Sequence, residues 1–140
     1  MNDATVFPTL SYDDAPGVID FLVNAFGAER HAVYAGEGGA IVHAELRFGN
    51  GLVMLGSVKP DRTATRGGGG GVYIVVRDAD AHAQRARAAG AEIIREPFDT
   101  DYGSREYSAH DPEDNVWHFG TYQPFAFDHE AEQAKATTAS

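Results

Sequence analysis

The spacing of apolar positions switches from every second residue to every third or fourth and back, and it does so twice along the chain. In TVFPTLSYDDA (5–15), alternation sets Leu10 and Tyr12 on one face and Phe7, Thr9 and Ser11 on the other. Pro8 lacks an N–H, so this strand belongs at an edge. The next stretch, DDAPGVIDFLVNAFGAE, carries Val18, Phe21, Leu22, Ala25 and Phe26 at helical spacing, with Asp14 as N-cap, Pro16 in the first turn and Gly27 as the stop. AIVHAELRF and LVMLGS flank Gly49-Asn50-Gly51 and predict a hairpin. With Gly49-Asn50 as its loop, Glu45 faces Met54 and His43 shares their face. Ala44, Leu46, Phe48, Val53 and Leu55 then sort onto the other face, toward the helix; a slip of one residue mixes the two sets.

A polar and then glycine-only stretch, VKPDRTATRGGGGG (58–71), interrupts the pattern, after which the plan starts again. GVYIVV reads as a strand and RDADAHAQRARAAGAEI as a helix closed by Gly90. The pattern breaks near Pro97, and SREYSAHDPEDNVWHFGTY forms a second hairpin that turns at Asp111-Pro112. YDDAPGVIDFLVNAFGAE (12–29) and RDADAHAQRARAAGAE (77–92) run through the same order: strand, acidic cap, helix, Gly-Ala-Glu, strand. Two βαβββ modules follow, residues 1–57 and 72–125, joined by the linker 58–71 and trailed by a polar tail, 126–140. The fold class is α+β, the modules forming a curved mixed sheet around a cleft with helices outside.

Composition narrows the function. A formal charge of −10, with no basic stripe to offset it, excludes nucleic acid as a partner but attracts cationic small molecules. There is no cysteine, hence no disulfide or thiolate ligand. No apolar run nears the roughly 18 residues of a membrane span, and no charged-then-apolar leader opens the chain, so a cytoplasmic protein without a membrane partner is expected.

The repeat, the strand-Asp-helix-Gly pattern of RDADAHAQRARAAGAEI, and the DPEDN turn (close to Asp-Pro-x-Gly-Asn, with Asp114 where glycine is usual) resemble the vicinal oxygen chelate superfamily of glyoxalase I, extradiol dioxygenases and bleomycin- and fosfomycin-resistance proteins. The resemblance covers residues 5–122. It implies one metal ligand from each of four cleft strands, and these positions fall at Phe7, Met54, Gly71 and His118. A phenyl ring, a thioether and a glycine offer a hard divalent ion nothing, and Thr9, Val72 and Tyr73 beside them do not rebuild the set. No metal and no other cofactor is expected. The resemblance also implies a homodimer, because modules of this family often pair across two chains.

His118 then projects into the cleft where the family carries a carboxylate, with Glu106, Ser108 and His110 on the neighbouring strand and His43 and Glu45 across from it. Imidazole titrates near neutrality and a carboxylate orients it, so His118 with Glu106 is the candidate catalytic pair. As ligand contacts the pattern nominates Phe7, Thr9, His43, Glu45, Met54, Tyr73, Tyr102, Arg105, Ser108 and His118, with Tyr102 and Arg105 in a glycine-containing loop over the cleft mouth. His31 and His82 read as isolated surface residues, His129 belongs to the tail, and Trp117 and Phe119 fill the core. The glycine run precedes a strand and lacks a Lys-Ser/Thr, so it reads as linker and not as a phosphate loop. Three functions follow in order: metal-free binding of a small aromatic or cationic molecule, an enzyme (lyase, isomerase or dioxygenase type) using His118, Glu106 and Glu45 or an atypical metal site, and a structural module whose cleft its own side chains fill.

Overall fold

The computed structural model describes residues 4–67 and 70–126, so His129 and almost all of the expected tail lie outside the described residues. The chain runs β1 (Thr9–Tyr12), α1 (Ala15–Phe26), β2 (Glu29–Ala35), β3 (Ile41–Phe48), β4 (Gly51–Ser57), β5 (Gly71–Val75), α2 (Ala79–Ala88), β6 (Glu92–Asp99), β7 (Arg105–His110) and β8 (Val116–Gly120). The strands form two four-stranded sheets of the same topology, β1-β4-β3-β2 and β5-β8-β7-β6, in which only the first strand of each module pairs in parallel. The internal repeat therefore folds as two α+β modules. Among the described residues no helix is long and apolar enough to cross a membrane.

Local chemistry accounts for the elements. The Asp14 side chain accepts from Gly17 N, proline occupies the first turn, and Gly27 ends α1 at φ 82°. Asp78 caps α2 in the same way through Ala81 N. The first hairpin has the expected register, Glu45 opposite Met54. β6 departs from expectation: it runs through Pro97 as a strand, with irregular register on both sides of Arg95. It is the edge of its sheet, where a missing N–H breaks no ladder.

The helix-covered faces of both sheets converge on one core. Phe26 of α1 packs its ring on Trp117 and Phe119 of β8, with centroids 5.6 and 4.8 Å away, and Phe48 of β3 also reaches Trp117. α2 turns Ala79, Ala83 and Ala86 inward, a small-residue face that lets α1 come close, and the Arg85 guanidinium donates to the carbonyls of Val23 and Asn24 at the end of α1. His82, expected at the surface, is instead half-buried between the modules. Phe26 O can only accept, so His82 Nε2–H donates to it (2.9 Å) and Nδ1 accepts from the Tyr107 hydroxyl. Only on the folded chain do Tyr107 and Phe26 flank this position, which the Ala/Arg-rich helix sequence does not reveal.

A polar lock sits at the DPEDN turn. The Asp111 carboxylate, 3% exposed, accepts from Tyr12 OH (2.7 Å), Trp117 Nε1 (3.0 Å) and the backbone N–H of Glu113 and Asn115. Glu113 reaches across and accepts from Asp13 N and Asp14 N, both at 2.8 Å. Burial, followed by the charge of Asp111, pushes the Tyr12 phenol far above its ordinary range, so it stays a donor. The connecting segment is tied to the same corner: Thr65 exchanges hydrogen bonds with Ser11, Asn115 Nδ2 donates to Thr65 O, and Arg66 pairs with Asp13. Asp114 closes the turn at φ 65°, the left-handed conformation that glycine usually supplies.

Replacing Asp111 by alanine strands two fully buried donors, Tyr12 OH and Trp117 Nε1, and is expected to cost about 3–5 kcal/mol in a denaturant titration; a loss under about 1 kcal/mol contradicts the lock. Burial lowers the His82 pKa below the ordinary 6.5, so the unfolded chain takes up that proton first. The wild type should therefore lose stability as the pH falls through 6.5, and His82→Gln should lose less over the same range, read as a difference of melting temperatures.

Candidate functional site

The faces turned away from the shared core carry the expected chemistry, and they carry it in two separate groups. On the first sheet Thr9, Met54 and Glu45 are successive partners across β1, β4 and β3. His43, two residues from Glu45 on the same strand face, places Nε2 2.8 Å from Glu45 Oε2, and the Tyr34 ring stacks beside the His43 ring at 6.2 Å. His31, expected to stand alone, lies 3.9 Å from Glu45 Oε1.

On the second sheet Tyr73, His118, Ser108 and Arg95 are partners across β5, β8, β7 and β6. Ser108 Oγ lies 2.7 Å from His118 Nδ1. One residue pair further along, Glu106 Oε2 accepts from Ser104 Oγ (2.9 Å), Tyr73 OH (3.2 Å) and Tyr102 OH (3.2 Å). The Tyr122 ring stands edge-on to both Tyr73 and Tyr102, with centroids 6.4 and 5.6 Å away. Burial first, with the charge of Glu106 adding and the Ser104 hydroxyl opposing, pushes Tyr73 up to about 12. Two glycines make this face possible. A Cβ on Gly120 would stand 2.5 Å from Tyr73 OH and 2.6 Å from Glu106 Cγ, and one on Gly71 would press on the His118 ring at 3.2 Å.

The expected residues do not all gather. Glu106, Tyr73, Tyr102, Ser108 and His118 come together on the second sheet, and Thr9, Met54, His43 and Glu45 on the first. Among the described residues no hydrogen bond, ion pair or ring contact joins one group to the other. Arg105 is not at the groove: it points to the helix side and pairs with Asp80 and Asp99. The alternation of β7 sets it opposite Glu106, a parity readable in the sequence once the strand start is known. Phe7 lies just before β1 and is partly exposed. Ser104 and Tyr122 were not foreseen. Ser104 shares the parity of Glu106, whereas Tyr122 follows the last strand and carries no periodic signal.

The donor set does not fit a resident metal ion. Strand pairing puts Thr9 beside Met54 and Tyr73 beside His118, and among the described residues no three His, Asp or Glu side chains converge as a metal ion requires.

Comparison with known proteins agrees with the fold. The sequence model of the Glyoxalase/Bleomycin resistance protein/Dioxygenase superfamily matches residues 5–119. An uncharacterised protein of Mycobacterium bovis is 36% identical over 121 residues, covering 81% of this chain and 80% of the relative. The crystal structure of TioX from Micromonospora sp. ML1 superposes with a TM-score of 0.70 at 32% identity, covering 84% of this chain and 94% of TioX. The fosfomycin resistance protein FosX from Mesorhizobium loti shares the fold alone, with a TM-score of 0.63 at 17% identity over 88% of this chain and 94% of FosX.

Glu106→Gln removes a negative charge from beside Tyr73. In an ultraviolet titration, the ionisation that Tyr73→Phe abolishes should move from about 12 toward the ordinary 10 in the Gln variant; an unmoved transition contradicts the contact.

Proposed function

Because the chain belongs to the glyoxalase/bleomycin resistance protein/dioxygenase superfamily, we propose that it is a metal-independent member that binds a small aromatic or cationic molecule. The observation that carries this reading is the chemistry at the four positions where the resemblance places the ligands of metal-dependent members. Phe7, Met54, Gly71 and His118 supply one imidazole among them, and the neighbouring Thr9 and Tyr73 supply only hydroxyls. Around those positions stand aromatic rings and carboxylates on a chain of charge −10, surroundings that favour a flat or positively charged guest over an anionic one.

The binding cleft is proposed to need two chains. In one chain the helix-bearing faces are spent on the shared core, so the Thr9/Met54/Glu45/His43 face and the Tyr73/His118/Ser108/Glu106 face turn outward on different sheets. A second copy that lays its first sheet against the second sheet of its partner would enclose both groups. Such a dimer has two equivalent clefts.

An enzyme is the competing reading, and the His43–Glu45 pair is what favours it. A carboxylate that accepts from Nε2–H leaves Nδ1 with its lone pair, the arrangement of a general base. Such an enzyme would move a proton by side chains alone.

Three measurements test these statements. Calorimetric titration with a cationic glycopeptide antibiotic should release heat, and a flat titration removes that ligand class. Sedimentation equilibrium should return twice 15.0 kDa, and a mass near 15.0 kDa overturns the shared cleft. Elemental analysis of protein purified without chelator should find no stoichiometric divalent metal, and finding one overturns the metal-independent reading.

A further inference from the structure

We propose that Tyr73, Tyr102, Tyr122 and Glu106 form a receptor for an alkylated ammonium group, a subsite that gives the ligand of the preceding section a defined cationic end. Four observations point to it. The first is the division of labour in the Glu106 carboxylate: Oε2 accepts from three hydroxyls, while Oε1 accepts from nothing among the described residues. The second is charge. None of the ion pairs among the described residues includes Glu106, and Arg105, its chain neighbour, is taken by Asp80 and Asp99 on the opposite side of the strand.

The third is the walls. Tyr73 and Tyr102 turn their hydroxyls to the carboxylate, and the Tyr122 ring stands edge-on to both, at 75° to Tyr73 and 79° to Tyr102, so three aromatic rings cluster beside the charge. Tyr73 and Tyr102 are 36% and 42% exposed. The fourth is room. A cavity of about 200 Å³ adjoins the cluster; Tyr102, Ser104, Thr121 and Tyr122 line it, and of these Tyr102 and Ser104 donate to Glu106, which with Tyr73 lies outside the lining.

The chemistry selects the guest. Ring faces are electronegative and apolar, so they attract a cation that is large and weakly hydrated, and an ammonium carrying methyl or methylene groups is such a cation. A bare divalent metal ion prefers several charged or carbonyl oxygens, whereas this cluster offers it one carboxylate among neutral hydroxyls. The phenols keep those protons at neutral pH, since burial and the Glu106 charge raise both Tyr73 and Tyr102. An N–H of the guest, or its positive charge alone, would meet Oε1.

The probe pair is choline and its neutral isostere 3,3-dimethylbutan-1-ol, titrated into the full chain while the backbone amides of Gly103 and Tyr122 are followed by NMR. Choline should bind at least tenfold more tightly than the alcohol. Glu106→Gln, which keeps the shape, should weaken choline roughly tenfold and leave the alcohol unchanged. Tyr102→Phe keeps the ring and should retain most of the choline affinity, whereas Tyr102→Leu should lose it. Equal binding of the two probes, or indifference to Glu106→Gln, overturns the subsite. Because it rests on the small-molecule reading, the two failures must be separable: if choline fails while the glycopeptide antibiotic still binds, only the ammonium subsite falls, and if neither binds, both fall.

Discussion

The Asp111 carboxylate holds the two halves of the chain in one arrangement. It is buried, it accepts from the phenol of one module and the indole of the other, and it fixes the turn from which Glu113 reaches the start of α1. A buried acceptor with this many donors is costly to break, because each donor left behind loses water as well as its partner. Apolar packing of Phe26, Phe48, Trp117 and Phe119 supplies most of the cohesion, but hydrophobic contact is non-directional. The carboxylate supplies the direction. With the modules so oriented, each sheet keeps one face for the core and shows the other to the surroundings.

That constraint explains why the site is divided. The helix faces are consumed in joining the modules, so the remaining faces point away from the joint. The residues that the alternation of β3, β4, β7 and β8 sends to those faces are polar or aromatic, which tolerates exposure. They also carry the groups proposed to hold a ligand. Gly71 and Gly120 are part of the same economy of space: the Tyr73–Glu106 contact and the His118 ring occupy volume that a side chain there would claim.

Much of this was legible in the residues. The repeated strand–cap–helix–Gly-Ala-Glu order foretold two modules, Asp14, Pro16 and Gly27 marked both ends of α1, and the sorting of Ala44, Leu46, Val53 and Leu55 set the hairpin register correctly. These signals are local, and local chemistry decides them. The misreadings have a common cause in long-range contact. His82 looked solvated because its partners Phe26 and Tyr107 are distant in sequence, and Pro97 looked like a break because the edge position of β6 is a property of the sheet. Arg105 looked like a cleft residue until Asp80 and Asp99 claimed it. The relative orientation of the two modules is set by side chains such as Glu113 that no periodicity reveals.

Glu113 also turns two ordinary amides into a clock. The N–H groups of Asp13 and Asp14 belong to one module and rest on a carboxylate about a hundred residues away, so their protection from deuterated solvent depends on a contact between the halves of the chain. Their exchange rate, set against that of amides inside either sheet, follows the opening of that contact.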